Sequence, residues 1–130
     1  MYSGRPRRPR RQENKRTGLK NENIDRQILV LHRAMAEKII QFPELVEKVE
    51  QKIQQRYEEG KLHYGGYLTW LSIIEHHNEP EIFLQSILED SVRMRKLRRR
   101  TPFVGILTEE ERQSVLMKFA CGTTDIESLL

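Results

Sequence analysis

The chain has 130 residues, 37% hydrophobic and 32% charged, enough for one small core and too few for two comfortable domains. Its net charge of +4 hides an asymmetry: residues 1–20 hold eight Lys or Arg and one Glu, while residues 21–130 hold fifteen basic and eighteen acidic side chains. One cysteine, Cys121, excludes an internal disulfide framework and a thiolate zinc cluster, and no run of about eighteen apolar residues is present to span a membrane.

Residues 1–21 carry two Pro, two Gly and only Met1, Tyr2 and Leu19 as apolar side chains. Such a segment buries too little surface to offset the entropy of ordering, so a disordered basic arm is expected there. It has no apolar core of the kind a secretory signal needs, and a reducing, cytoplasmic setting suits the lone cysteine. Within the arm, "RPRRPRR" spaces Arg5, Arg7, Arg8, Arg10 and Arg11 along an extended backbone. Guanidinium groups on such a chain can follow a phosphate backbone or enter a minor groove; a solubilising tail would look the same.

Order is expected from Asn23, read as a helix N-cap, with a helical domain over 22–120 and a flexible tail over 121–130. Apolar side chains at 24, 28, 31, 35 and 39 mark the stripe of a first helix, which should stop near Gln41 because Pro43 disfavours helix at Phe42. Phe42, Val46, Val49, Ile53 and Tyr57 mark a second helix, antiparallel to the first, with Gly60 as its C-terminal signal.

Gly65-Gly66 predicts a loop or a close backbone approach. Tyr67–Ile74 is apolar almost all round, as in a central helix, and the single tryptophan, Trp70, is the expected core anchor. Asn78-Glu79-Pro80 opens a fourth helix, expected to run through Phe83, Ile87, Met94 and Leu97 into the basic run and to stop at Pro102. Thr108-Glu109-Glu110-Glu111 is a capping box for a short fifth helix through Phe119. The fold class is therefore all-α, a small bundle of about five helices with a disordered basic N-terminal arm.

Catalytic chemistry finds little to stand on. His76 and His77 are adjacent, so on a helix they point about 100° apart. His32 reads as a hydrogen-bonded residue at the edge of the first stripe, Cys121 as a spectator thiol, and the 109–111 carboxylates as helix caps. No catalytic set, metal site or cofactor is expected. The basic run at 93–100 is the other charged feature. Arg95 and Arg99 share a face at i,i+4 spacing with Arg98 between them, which makes these three the candidate phosphate contacts beside the arm. No interleaved aromatics mark a stack for RNA bases.

The stretch "LRRRTPFVGILTEEER" at 97–112 resembles a block, Leu-Arg-x-x-Ser/Thr-Pro-Phe-x-Gly-x-Leu-Thr-x-x-Glu-Arg, of short uncharacterised bacterial accessory or antitoxin-like proteins. "LHRAMAEKI" and the Pro43-Glu44-Leu45 segment extend the likeness over about residues 26–113. The resemblance implies a small bacterial interaction protein. Two functions are expected. One is a non-enzymatic regulatory or antitoxin-like protein that acts through a protein partner, its arm touching nucleic acid. The other is a direct DNA- or RNA-binding protein that uses the arm and the 93–100 patch.

Overall fold

The computed structural model describes the backbone of residues 15–121 and the side chains of residues 22–121. Six helices follow in order: α1 (Lys15–Gln41), α2 (Leu45–Glu58), α3 (Tyr64–Glu75), α4 (Pro80–Ile87), α5 (Val92–Arg99) and α6 (Glu109–Ala120). Among the described residues there is no strand, and no helix is long and apolar enough to cross a membrane. The first fourteen residues of the expected arm, and the tail beyond Cys121, lie outside the described residues.

Helix α1 already runs from Lys15, so Asn23 is an exposed position inside it and not its cap. Its buried residues are Val30, His32, Met35, Ala36 and Ile39, a face broader than the expected stripe: Met35 and Ile39 belong to that stripe, Leu31 packs on the core half-buried, and Ile24 stays 36% exposed. The cause is tertiary. α1 packs against α4, α5 and α6, and a helix with several partners buries more than one stripe. With that surface taken, α2 uses α3 as its main partner in place of the antiparallel pairing with α1. α2 buries Val46, Val49 and Ile53 at i, i+3 and i+7. It ends where Gly60 turns to φ +76°, with the Lys61 amide donating to the Arg56 carbonyl at 2.9 Å and the Gly60 amide to the Tyr57 carbonyl at 3.1 Å. That pair of bonds is a Schellman motif, and its left-handed residue favours glycine.

Gly65 and Gly66 lie in the first turn of α3, not in a loop. The alternative of close approach holds at Gly66. A Cβ there would lie 3.0 Å from Leu62 Cδ1 and 3.2 Å from Leu97 Cδ2, so the missing side chain lets the start of α3 meet α5.

The expected single fourth helix is two helices. α4 stops at Ile87, and Ser91 opens α5 by accepting the Met94 amide on its hydroxyl at 3.1 Å. Serine competes well for a helix-start position. This break makes the count six.

Trp70, Phe83 and Phe103 are fully buried, as the anchor role of Trp70 predicts. The Trp70 and Phe103 rings are 5.4 Å apart, and His32 lies 6.3 Å from Trp70 and 6.0 Å from Phe103. The connector after α5 tucks Pro102, Phe103 and Ile106 inside. Three basic side chains hold its carbonyls: Arg56 donates to Arg100 and Thr101 at 2.8 and 2.7 Å, Lys48 to Gly105 at 3.0 Å, and Lys38 to Ile106 at 2.9 Å. The capping box forms as expected: the Thr108 hydroxyl accepts from the Glu111 amide at 3.1 Å, and the Glu111 carboxylate from the Thr108 amide at 2.9 Å.

Candidate nucleic-acid interface

The basic run divides between three environments. Arg98 is not an outward-facing side chain: it is 4% exposed. Its Nη1 donates to the Ile87 carbonyl at 3.0 Å, which the end of α4 would otherwise leave unpaired, and to the Glu89 carbonyl at 2.9 Å, which also accepts from the Ser91 amide at 3.2 Å. Burial works against its charge, and the nearby carboxylates of Asp90 and Asp25 partly offset this. Arg95 is exposed but lies on a surface of mixed charge, where Glu22, Asp25 and Asp90 alternate with Arg26 and Arg98. It pairs with Asp90 at 2.9 Å, and that hydrogen bond raises its pKa further. Arg99 pairs with Asp25 at 2.9 Å. The expected trio therefore does not form one surface. Arg5, Arg7, Arg8, Arg10 and Arg11 lie outside the described residues.

A different set of cations does converge. A groove of about 630 Å³ opens between the α2–α3 link and α5. Lys61, Leu62, His63, Gly65 and Gly66 form one wall; Arg93, Lys96, Leu97, Arg99 and Arg100 form the other. No carboxylate lines it. Arg93 is held in place by neutral acceptors, the Thr69 hydroxyl at 2.6 Å and the Gly65 carbonyl at 3.2 Å, so its charge is positioned without being cancelled. Among the described residues, neither Lys96 nor Arg100 forms a side-chain ion pair. Lys61 and Arg99 have carboxylate partners, Glu59 and Asp25, outside the groove. The first turn of α3 adds the positive end of a helix with no acidic residue in that turn and no side-chain cap from His63.

Arg93, Lys96 and Arg100 share one face because they stand at i, i+3 and i+7. That spacing was visible in the sequence. The i,i+4 pair Arg95–Arg99 competes with it on equal terms until the burial of Met94 and Arg98 fixes how α5 is rotated.

Between α2 and α3, three tyrosines meet. Tyr57 of α2 stacks on Tyr67 of α3 with centroids 4.1 Å apart and planes 16° apart. Tyr64, at the start of α3, lies 6.2 Å from Tyr57 and 6.3 Å from Tyr67. Tyr64 is 61% exposed. The aromatic cluster was missed in the sequence because Tyr57 reaches the other two only when α2 folds back on α3.

The remaining candidates have structural partners. His32 is buried, not at a boundary. Its Nδ1 faces the Ile28 carbonyl at 2.8 Å, and burial lowers its pKa to about 4, so at neutral pH the ring is uncharged. His76 and His77 each turn Nδ1 to a backbone carbonyl of their own chain segment, Ser72 and Ile74. Among the described residues no three His, Cys, Asp or Glu side chains gather where they could hold a metal ion. Cys121 is exposed.

No protein-family model, curated protein or solved structure matches the chain.

Proposed function

We propose that the chain binds nucleic acid through its phosphates, using the groove between the start of α3 and α5. One observation carries this reading: Arg93, Lys96 and Arg100 line a groove that contains no carboxylate. Clustered cations without local counter-charges attract a polyanion, release its condensed counterions, and give binding that weakens steeply with salt. The arginines of residues 5–11 would add contacts of the same kind.

The test is a salt titration. A fluorescein-labelled oligonucleotide is bound by the full chain and by the Arg93→Gln/Lys96→Gln/Arg100→Gln variant at several salt concentrations. The variant should keep its melting temperature, because all three side chains are exposed. Its log–log salt slope should fall by about one unit per lost phosphate contact. An unchanged slope, or no binding by the parent chain at low salt, overturns the proposal.

A second reading, a protein-partner role such as the antitoxin-like one, is favoured by α6. None of its residues is buried, and Met117 is 66% exposed beside half-buried Val115, Leu116 and Phe119. Copurification separates the two: a stoichiometric protein partner supports this second reading, and retained nucleic acid the first.

A further inference from the structure

We infer that the cavity under the connector between α5 and α6 binds a small organic acid, a carboxylate carried on an apolar body the size of a single ring. This site does not depend on the phosphate-binding role proposed above.

A cavity of about 260 Å³ lies between α1, the end of α5 and the connector. Its connector wall is fixed from behind. Arg56 holds the carbonyls of Arg100 and Thr101, Lys48 holds that of Gly105, and Lys38 of α1 holds that of Ile106. The wall therefore stands off α1 before any ligand arrives, as in most small-molecule sites. Leu31 and Met35 of α1, with Phe103 and Leu107 of the connector, make the lining largely apolar. The buried lining residues His32, Arg98 and Phe103 mark the closed end, and the exposed Arg99, Val104 and Arg112 mark the mouth.

The charge on this cavity has one sign. Arg98, Arg99 and Arg112 line it, and no carboxylate does. Arg98 spends Nη1 on the carbonyls of Ile87 and Glu89. Arg99 and Arg112 are the two that an entering ligand meets. Their acidic neighbours, Asp25 at 2.9 Å and Glu109 at 3.5 Å, lie outside the cavity.

An apolar interior behind a cationic mouth fits a ligand of the complementary make-up. The carboxylate stays at the wet mouth, where it loses little hydration, and accepts charge-assisted bonds from the guanidinium groups. The apolar body fills the space behind and leaves water. The volume is just below the roughly 300 Å³ at which ligand pockets commonly begin, so one ring or a short branched chain fits and a lipid tail does not.

The experiment titrates the ¹⁵N-labelled full chain with three probes and follows amide chemical shifts. Phenylacetate carries the ring and the charge, phenylacetamide the ring without the charge, and acetate the charge without the ring. Phenylacetate should saturate, with its largest shifts at the amides of Leu31, Phe103 and Leu107. It should bind about ten-fold more tightly than phenylacetamide, the lower range for hydrogen bonds to a charged group. Acetate should not saturate over the same concentrations. Arg99→Gln/Arg112→Gln should melt like the parent, because both side chains are exposed, and should bind acid and amide equally. If that variant unfolds, Arg112→Gln alone carries the test and should lose part of the preference. Equal binding of acid and amide by the parent, acetate as tight as phenylacetate, largest shifts at Gly65 and Gly66 of the groove, a preference untouched by the substitutions, or no saturable binding overturns the inference.

Discussion

Arg98 donates from Nη1 to the carbonyl oxygen of Ile87 at 3.0 Å, across the break between α4 and α5. The same nitrogen reaches the Glu89 carbonyl at 2.9 Å. A basic residue in the middle of a run of six thus acts as the cap that the end of α4 lacks. Arg98→Met should lower stability by about 1–3 kcal/mol, since it strands the Ile87 carbonyl, while the Glu89 carbonyl keeps the Ser91 amide. Arg98→Lys should recover part of the loss, because one ammonium nitrogen can also donate two hydrogen bonds but sits one bond closer to the backbone than Nη1. Arg95→Gln is the control: its pair with Asp90 is exposed, and its removal should change stability by less than about 1 kcal/mol. Urea titration of the three variants decides this; equal midpoints for Arg98→Met and Arg95→Gln would falsify the capping role.

Trp70 is fully buried against Phe103 and His32. Trp70→Ala should cost roughly 3–5 kcal/mol, the range for removing a large aromatic from a packed core. Because it is the single tryptophan, native emission should be blue-shifted and should move red on unfolding. A shift of a few tenths of a kcal/mol in the denaturant midpoint would contradict the burial.

His32 sets an acid limit. Its folded pKa is lowered to about 4 from an ordinary 6.5, chiefly by burial. A lowered histidine pKa means that the unfolded chain takes up the proton first. The stability present above pH 6.5 is therefore lost as the pH falls towards 4, and the loss levels off once the folded ring is also protonated. The loss from this one group should approach about 3 kcal/mol. His32→Leu should remove that part of the pH dependence between 6.5 and 4. A parent and variant with parallel stability curves across this window would show that the ring protonates inside the fold without penalty.

Glu111 joins three elements. Its Oε1 accepts from the Thr108 amide at 2.9 Å and from Lys38 of α1 at 2.7 Å, and the lysine bond is the main reason its pKa is lowered. Thr108→Ala should cost about 1 kcal/mol as a lost cap. Thr108→Ala and Glu111→Ala should be non-additive, because each removes half of the same reciprocal pair. A double-mutant cycle by thermal melting tests this, and strict additivity would mean that the two halves act independently.

Several local features were legible from residue type and spacing. The stop of α1 at Gln41 follows from Pro43, the end of α2 from Gly60, and the start of α6 from Thr108 and Glu111. Each involves residues within a few positions of one another, where backbone sterics and local hydrogen bonds decide. The break at Leu88–Ser91 was less legible. Ser91 is an acceptable interior helix residue as well as a good cap, and the apolar spacing from Phe83 to Leu97 continues across it.

The sequence by itself determined the all-helical fold of the described residues, the core role of Trp70, and a second basic region at 93–100. Tertiary structure alone decided which of those basic side chains face outward together. Helical periodicity offers Arg95 with Arg99 as readily as Arg93 with Lys96 and Arg100, and nothing local ranks one face above the other. The choice is made when Met94 turns into the core and Arg98 binds the carbonyls of Ile87 and Glu89. That rotation carries Arg95 to its pair with Asp90 and leaves Arg93, Lys96 and Arg100 on the groove. Long-range packing also brings Tyr57 onto Tyr67, because only the turn at Gly60 and the pairing of α2 with α3 close the distance between them.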